Sequence, residues 1–371
     1  MRRLLFSLLL FCAVHTQAQF NRNIEYLFIG TAGKEIHVLR FNLTNGTSSE
    51  VSSLTDVESP TYLSVTKDQK FLYAVNETSG EQGGSLSAFS FDKGKGILHF
   101  LNKTASGGDG PCYVETDSTG KWVVAANYGG GSLSIFKTGA DGSILPFAQN
   151  IEHQGYSVNF TRQSKPHVHC TIFSPDNRYV FATDLGTDKV YRYAFNPANP
   201  QPLSETDTVM TDVPDGFGPR HFVFHPTQKS AYLVNELSGQ VIAYQCTDNK
   251  LTEIQTIEST REGDKLDKGS ADIRITPDGK YLYTSNRGKA NDLTIYRVGS
   301  TGLLTLVGHQ SCLGAHPRNF AIDPTSHFLF VANRDTNNIE VFTIIKSTGF
   351  LQPVPGSEIH IDKPMCIKII Q

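Results

Sequence analysis

Residues 363–370, KPMCIKII, form an alternating apolar strand that begins on a proline and has nothing after it. Six earlier segments begin alike, with a proline or a small residue, and then continue. They are SPTYLSVTKD (59–68), GPCYVETDSTG (110–120), KPHVHCTIFSPD (165–176), GPRHFVFHP (218–226), SADIRITPDG (270–279) and HPRNFAIDP (316–324). Each leads into a second apolar strand ending on a polar pair: FLYAVNE (71–77), WVVAANY (122–128), YVFATDL (179–185), AYLVNE (231–236), YLYTSNR (281–287) and FLFVANR (328–334). A third alternating strand follows in every copy, from SLSAFSF to NIEVFTI, and a weaker fourth closes most of them, as in KLTEIQTI (250–257) and GLLTLVGH (302–309). Period-two alternation of β-branched and aromatic residues, bounded by Gly, Asp and Asn, marks strands. Four antiparallel strands per unit of about fifty residues mark the blade of a propeller.

What KPMCIKII lacks, the N-terminus carries. EYLFIGTA (25–32) matches the second strand of the unit and EIHVLRF (35–41) the third. One blade is therefore expected to be assembled from both ends of the chain, which leaves no long unpaired edge. Six whole units and one shared unit predict an all-β, seven-bladed β-propeller with four antiparallel strands per blade, a single domain over residues 19–371.

The composition agrees with this reading. Of 371 residues, 39% are hydrophobic and 19% charged, enough for a large core, and the 32 Gly and 17 Pro are spread along the chain as many short strands and tight turns require. A net charge of -3 gives no electrostatic case for nucleic acid, so any anion site must come from local clustering of arginine. MRRLLFSLLLFCAVHTQA (1–18) reads as a signal peptide. Arg2 and Arg3 are its basic end, Leu4 to Val14 are an apolar run short for a membrane span, and Thr16 and Ala18 suit cleavage before Gln19. The mature protein is expected in the periplasm or secreted, free of the membrane. Cys112, Cys170, Cys246, Cys312 and Cys366 are widely spaced without a CxxC, which fits neither a disulfide framework nor a zinc site.

The repeat also serves as a ruler. The position of Arg220 is filled by Thr61, Cys112, His169, Ala271, Arg318 and Met365 in the other units, and the last residue of the second strand is Glu77, Tyr128, Leu185, Glu236, Arg287 or Arg334. In all six whole units these two positions lie sixteen residues apart. Residues that vary at a fixed architectural position are released from the scaffold's rule. Here they include His169, Arg220, Glu236 and Arg287, with Glu77, Arg318 and Arg334, which predicts a basic pocket at one mouth of the channel. Inter-blade ion pairs among them, such as Glu236 with Arg220 or Arg287, are the structural counterpart of that reading. The residue before, Asn76, Asn127, Asp184, Asn235, Asn286 or Asn333, repeats in every unit and reads as scaffold. His167 and His169 could form a metal pair, but the surrounding arginines disfavour a cation, and no metal or other cofactor is expected.

At KPHVHC, DLGTDKVYRY (184–193), GPRHFVFHP, LVNEL and ADIRITPDGKYLYTSNRG the sequence resembles the seven-bladed lactonase family. That family includes propeller-type 6-phosphogluconolactonases and carboxy-muconate lactonizing enzymes, and the resemblance spans essentially the whole mature chain. It implies a lactone hydrolase acting on a sugar or aldonic acid lactone. Alternatives are a cycloisomerase of the muconate type, or a propeller that only binds a ligand or protein. By the family's motif, His169, Glu236, Arg220 and Arg287 correspond to catalytic residues, and His167 competes with His169 for the histidine. Glu236 or His169 would activate water while Arg220 and Arg287 receive the oxyanion. His167, Glu77, Arg318, Arg334 and Arg274, the last within ADIRITPDG, would contact the substrate. The partner is expected to be a small anionic or sugar lactone, and the protein a monomer.

Overall fold

A computed structural model describes residues 23–80, 83–247, 250–261 and 268–371, so the signal peptide expected at 1–18 lies outside the described residues. The described elements are strands, arranged in seven antiparallel sheets. Each sheet is radial, and its first strand lines the central channel. The inner strands run from Leu63–Val65 through Pro111–Thr116, Val168–Phe173, Pro219–Phe224, Ser270–Ile275 and Pro317–Ile322 to Pro364–Ile370. The shared blade is present as expected: Pro364–Ile370 pairs with Ile24–Thr31, which pairs with Ile36–Asn42 and then Thr47–Leu54.

One blade departs from four plain strands. Its outer edge is split into Leu351–Pro353 and Ile359–His360, both paired with Asn338–Ile344. The cause lies in QPVPGSE (352–358), where Pro353 and Pro355 have no amide to give the ladder.

The second strands are almost wholly buried, Trp122–Asn127, Ser230–Asn235, Tyr281–Asn286 and Phe328–Asn333 throughout, because each is packed between neighbouring blades. Their terminal Asn or Asp is scaffold, as its repetition implies. Asn76 donates to the Glu58 carbonyl, Asn286 to that of Ser259 and Asn333 to that of Cys312, while Asp184 accepts from the His167 and Gly186 amides. Glu25 is an exception in this ordered core: it is fully buried, and neither carboxylate oxygen has a hydrogen-bond partner.

The inner strands share an irregularity that governs the site. The pairing register slips between Pro111 and Tyr113, Val168 and Cys170, Pro219 and His221, Ser270 and Ile273, and Pro317 and Asn319. A bulge of this kind leaves a residue outside the ladder and re-aims its side chain. The residues set free are Cys112, His169, Arg220, Ala271 together with Asp272, and Arg318, so the ruler position lies at every bulge. Just before the bulge the chain turns sharply, and Gly218 (φ 68°) is required there, because a Cβ would sit 2.6 Å from Leu237 Cγ.

Candidate active site

The mouth is organised around Glu236, whose side chain is 8% exposed. Its Oε2 accepts from Arg220 Nε at 2.8 Å and pairs with Arg287 Nη2 at 3.0 Å, while Oε1 accepts from Arg162 Nη2 at 2.6 Å. Burial opposes ionisation, but Arg287, Arg220, His169 and Arg162 together hold the carboxyl well below the usual carboxylate range. Glu236 is therefore a carboxylate with both oxygens engaged by guanidinium groups. The ion pairs expected from the ruler exist, and they form the floor of the mouth.

Arg220, 1% exposed, is fixed from two further sides. Its Nη1 donates to the Ala271 carbonyl and, at 3.2 Å, to His221 Nε2. His221 must therefore carry its proton on Nδ1, which donates to Asp272 Oδ1 at 2.7 Å. Burial and the Arg220 charge outweigh Asp272 and push His221 down to about 3, so it is neutral. Asp272 also accepts from Asn319 Nδ2, whose Oδ1 accepts the Ile367 amide at 2.8 Å, so this chain of bonds reaches the closing strand.

The two histidines of PHVH differ sharply. His169 is buried against the edges of Tyr128 and His221, with Cys112 Sγ 3.7 Å from Nδ1. Burial, Arg220 and His221 depress it well below the ordinary histidine value. His167 is half-buried and stacks on Tyr128 with ring centroids 4.4 Å apart. Its Nδ1 lies 2.9 Å from the Tyr128 carbonyl, which can only accept, so the proton sits there and Nε2 keeps its lone pair. Burial lowers His167 more than this bond raises it.

The walls are looser. Arg318 Nη2 stands 3.6 Å from Glu77 Oε2, and Glu77 accepts from the Thr61 hydroxyl. Arg287 also donates from Nε to the Gly269 carbonyl, and burial lowers it to about 10, so it stays charged at neutral pH. Arg334 turns toward Asp335 at 2.6 Å and His316 at 3.4 Å, at the rim and away from Glu236. Arg274 does not join them. It lies three residues beyond the bulge position, half-way to the opposite mouth, bonded to Asp272 and to the Tyr62 hydroxyl.

Three residues escaped sequence reading. Arg162 comes from the segment between the strands Ile144–Glu152 and Val168–Phe173, outside the repeat, so the ruler had no position for it. That segment is pinned by Ser157 to Asp188 and by Gln163 to the Leu185 carbonyl, and it exposes Tyr156, Val158 and Phe160 beside the mouth. Tyr128 occupies the ruler position and accepts an Arg162 bond at 3.3 Å. His316 sits among Arg287, Arg334 and Arg318 and is held down to about 4, by burial first. Its only signal was its place ahead of PRNF. Among the described residues no group of three or more His, Cys, Asp or Glu could hold a metal ion.

Fold and site together define a seven-bladed propeller with an arginine-rich mouth: Arg162, Arg220, Arg287 and Arg318 around Glu236 and Glu77, neutral His167, His169 and His316 beside them, and Arg334 with Asp335 at the rim. The family model for the lactonase, 7-bladed beta-propeller, matches residues 26–369, and the chain belongs to that family. It is 36% identical over 337 residues to a 6-phosphogluconolactonase of Formosa agariphila, covering 89% of this chain and 95% of the relative. A crystal structure of a Bacteroides fragilis protein superposes with a TM-score of 0.89 at 41% identity, covering 94% of this chain and 99% of that one. The periplasmic gluconolactonase of Pseudomonas aeruginosa superposes with a TM-score of 0.88 at 31% identity, over 94% and 99% of the two chains.

Proposed function

We propose that this chain hydrolyses a sugar or aldonic acid lactone bearing an anionic group, in the manner of a propeller-type 6-phosphogluconolactonase. Its family supports the lactone-hydrolase class. The observation that carries the mechanism is the pairing of saturated Glu236 oxygens with a histidine whose free nitrogen is fixed. Glu236 is too well neutralised to accept a proton, and protonated His169 would stand beside Arg220 and Arg318. The base role accordingly passes to His167.

His167 Nε2 takes a proton from water as the water oxygen attacks the lactone carbonyl carbon. The carbonyl electron pair moves onto oxygen, where Arg287 stabilises it, while Arg318 holds the substrate's anionic substituent. As the intermediate collapses, the ring C–O bond breaks and the departing oxygen receives the proton from His167, giving the hydroxy acid. Arg is suited to both the oxyanion and a phosphate or carboxylate substituent because its planar fork donates in pairs. The likeness to a periplasmic gluconolactonase fits an exported enzyme, and export favours a lactone met outside the cytoplasm.

The test is pH-stat turnover of δ-gluconolactone, its 6-phosphate and a carboxymuconate by the purified protein. We expect both lactones to open and Arg318→Met to raise KM for the phosphorylated one more than for the other. Muconate turnover with no lactone opening would assign a cycloisomerase, and no turnover at all would leave a binding propeller.

A further inference from the structure

The channel is closed half-way. Tyr62 and Tyr113 stack at 4.1 Å and His221 meets both edge-on at 5.8 and 5.2 Å, all three buried. Below this plug the channel opens again into a cavity of about 600 Å³ at the mouth opposite the arginine cluster. Side chains two residues further along the inner strands line it: Ser64, Glu115, Arg274 and Lys368, with Lys67 and Asp117 also on its wall and apolar residues between them. Nothing in the catalytic reading uses them.

Their polar groups are incompletely matched. Lys368 Nζ lies 4.6 Å above the Tyr62 ring and, among the described residues, has no carboxylate within ion-pair distance. Arg274 spends Nε and Nη2 on Asp272 and Tyr62, leaving Nη1 uncommitted, with a quarter of its side chain exposed. Glu115 Oε2 is buried with no hydrogen-bond partner. Arg274 is balanced by Asp272, and exposed Lys67 is offset by Asp117, whose oxygens accept the Thr119, Lys121 and Trp122 amides, so with Glu115 protonated Lys368 is the surplus charge and Glu115 adds a donor. A cavity with one excess positive charge, a spare guanidinium nitrogen and a hydroxyl from Ser64 suits one negative charge on a small polar molecule.

We infer that this second mouth is a binding site for a small monocarboxylate, held between Lys368 and Arg274 with Glu115 and Ser64 at its side. The site is independent of the proposed lactone chemistry, from which the aromatic plug separates it. Burial pushes Glu115 up to about 8, against the pull of Lys368 and Arg274, so it is neutral near pH 7 and becomes a repelling charge above that value. The groups facing it are Tyr113 on its own strand and Asp117 just past that strand's end, then Cys170, Asp272 and Arg274, and Cys366 and Lys368. Exposed Lys67 follows Leu63–Val65, and Pro219–Phe224 presents only apolar side chains beside His221.

Isothermal titration of the full-length mature protein with D-gluconate, and separately with inorganic phosphate, tests this. Gluconate binding that survives Arg318→Met, is weakened at least about tenfold by Lys368→Met, and weakens from pH 6.5 to pH 9 is expected. Glu115→Gln should abolish that pH dependence while binding normally at pH 6.5, and it decides the matter if Lys368→Met does not fold. Gluconate binding lost only in Arg318→Met belongs to the catalytic mouth and overturns the second site. So does an isotherm indifferent to Lys368→Met and Glu115→Gln, or capture of phosphate alone.

Discussion

Glu236→Gln separates a structural charge from a catalytic base. The substitution keeps the shape and removes the negative charge that Arg220, Arg287 and Arg162 share. Arg162, with 40% of its side chain exposed, loses at most about 1 kcal/mol, since solvent screens it. Arg220 and Arg287, at 1% and 13%, cannot recover their solvation, and stranding a buried charge costs about 3–5 kcal/mol. We therefore expect equilibrium unfolding in urea at pH 7 to show a loss in that range. The pH dependence has a fixed sign. The Glu236 pKa is depressed on folding, so its stabilisation is complete above the unfolded value near 4.5 and fades as pH falls through the folded value. Wild type and variant should thus converge in acid. A variant within about 1 kcal/mol of wild type at pH 7 would refute the account of Glu236 as the charge that holds the mouth together, and complete loss of turnover in that stable protein would make it the base.

Other outcomes follow from the same contacts. His167→Gln should lower kcat/KM by about 10²–10⁴-fold, and the acid limb of the wild-type pH–rate profile should fall below pH 6.5, because burial lowers His167; His169→Ala should keep that limb. Ending the chain before Pro364 removes Met365, Cys366, Ile367 and Ile370 from the core. At about 1.5–3 kcal/mol for each large side chain this rivals the whole net stability, so the truncated protein should show no cooperative thermal transition by calorimetry. Burial, with Asp323 nearby, raises Glu25 to about 8. The folded state therefore binds the extra proton, and stability falls as pH rises from about 4.5 to 8. Glu25→Met should gain stability over wild type, by up to about 5 kcal/mol at pH 9, and denaturant titrations at pH 5 and pH 9 would show whether it does.

The sequence displayed the ring because each blade repeats a period-two pattern whose cause, packing against the next blade, is the same all round. The sixteen-residue ruler worked for a similar reason: it spans one hairpin, so Arg220 meets Glu236 and Thr61 meets Glu77. It could not show that the ruler position is a bulge, which is what turns His169, Arg220 and Arg318 into the channel. Arg274, inside a motif shared with the family, was drawn to the wrong end because three residues along a strand carry a side chain about 10 Å away. Arg162 was invisible for the opposite reason. It reaches Glu236 from a segment that belongs to no repeat, and only tertiary contacts with Asp188 and Leu185 bring it there.

The blade built from both termini has a consequence for how the molecule comes into being. Until Pro364–Ile370 has been synthesised, Ile24–Thr31 lacks its inner neighbour and the growing chain is an open arc. That strand supplies Lys368 and, through Ile367 and Asn319, braces the Asp272–His221–Arg220 relay beneath the arginine-lined mouth. Pairing of this strand and ordering of both mouths are thus a single event, and fragments that stop short of Pro364 are born without either mouth in order.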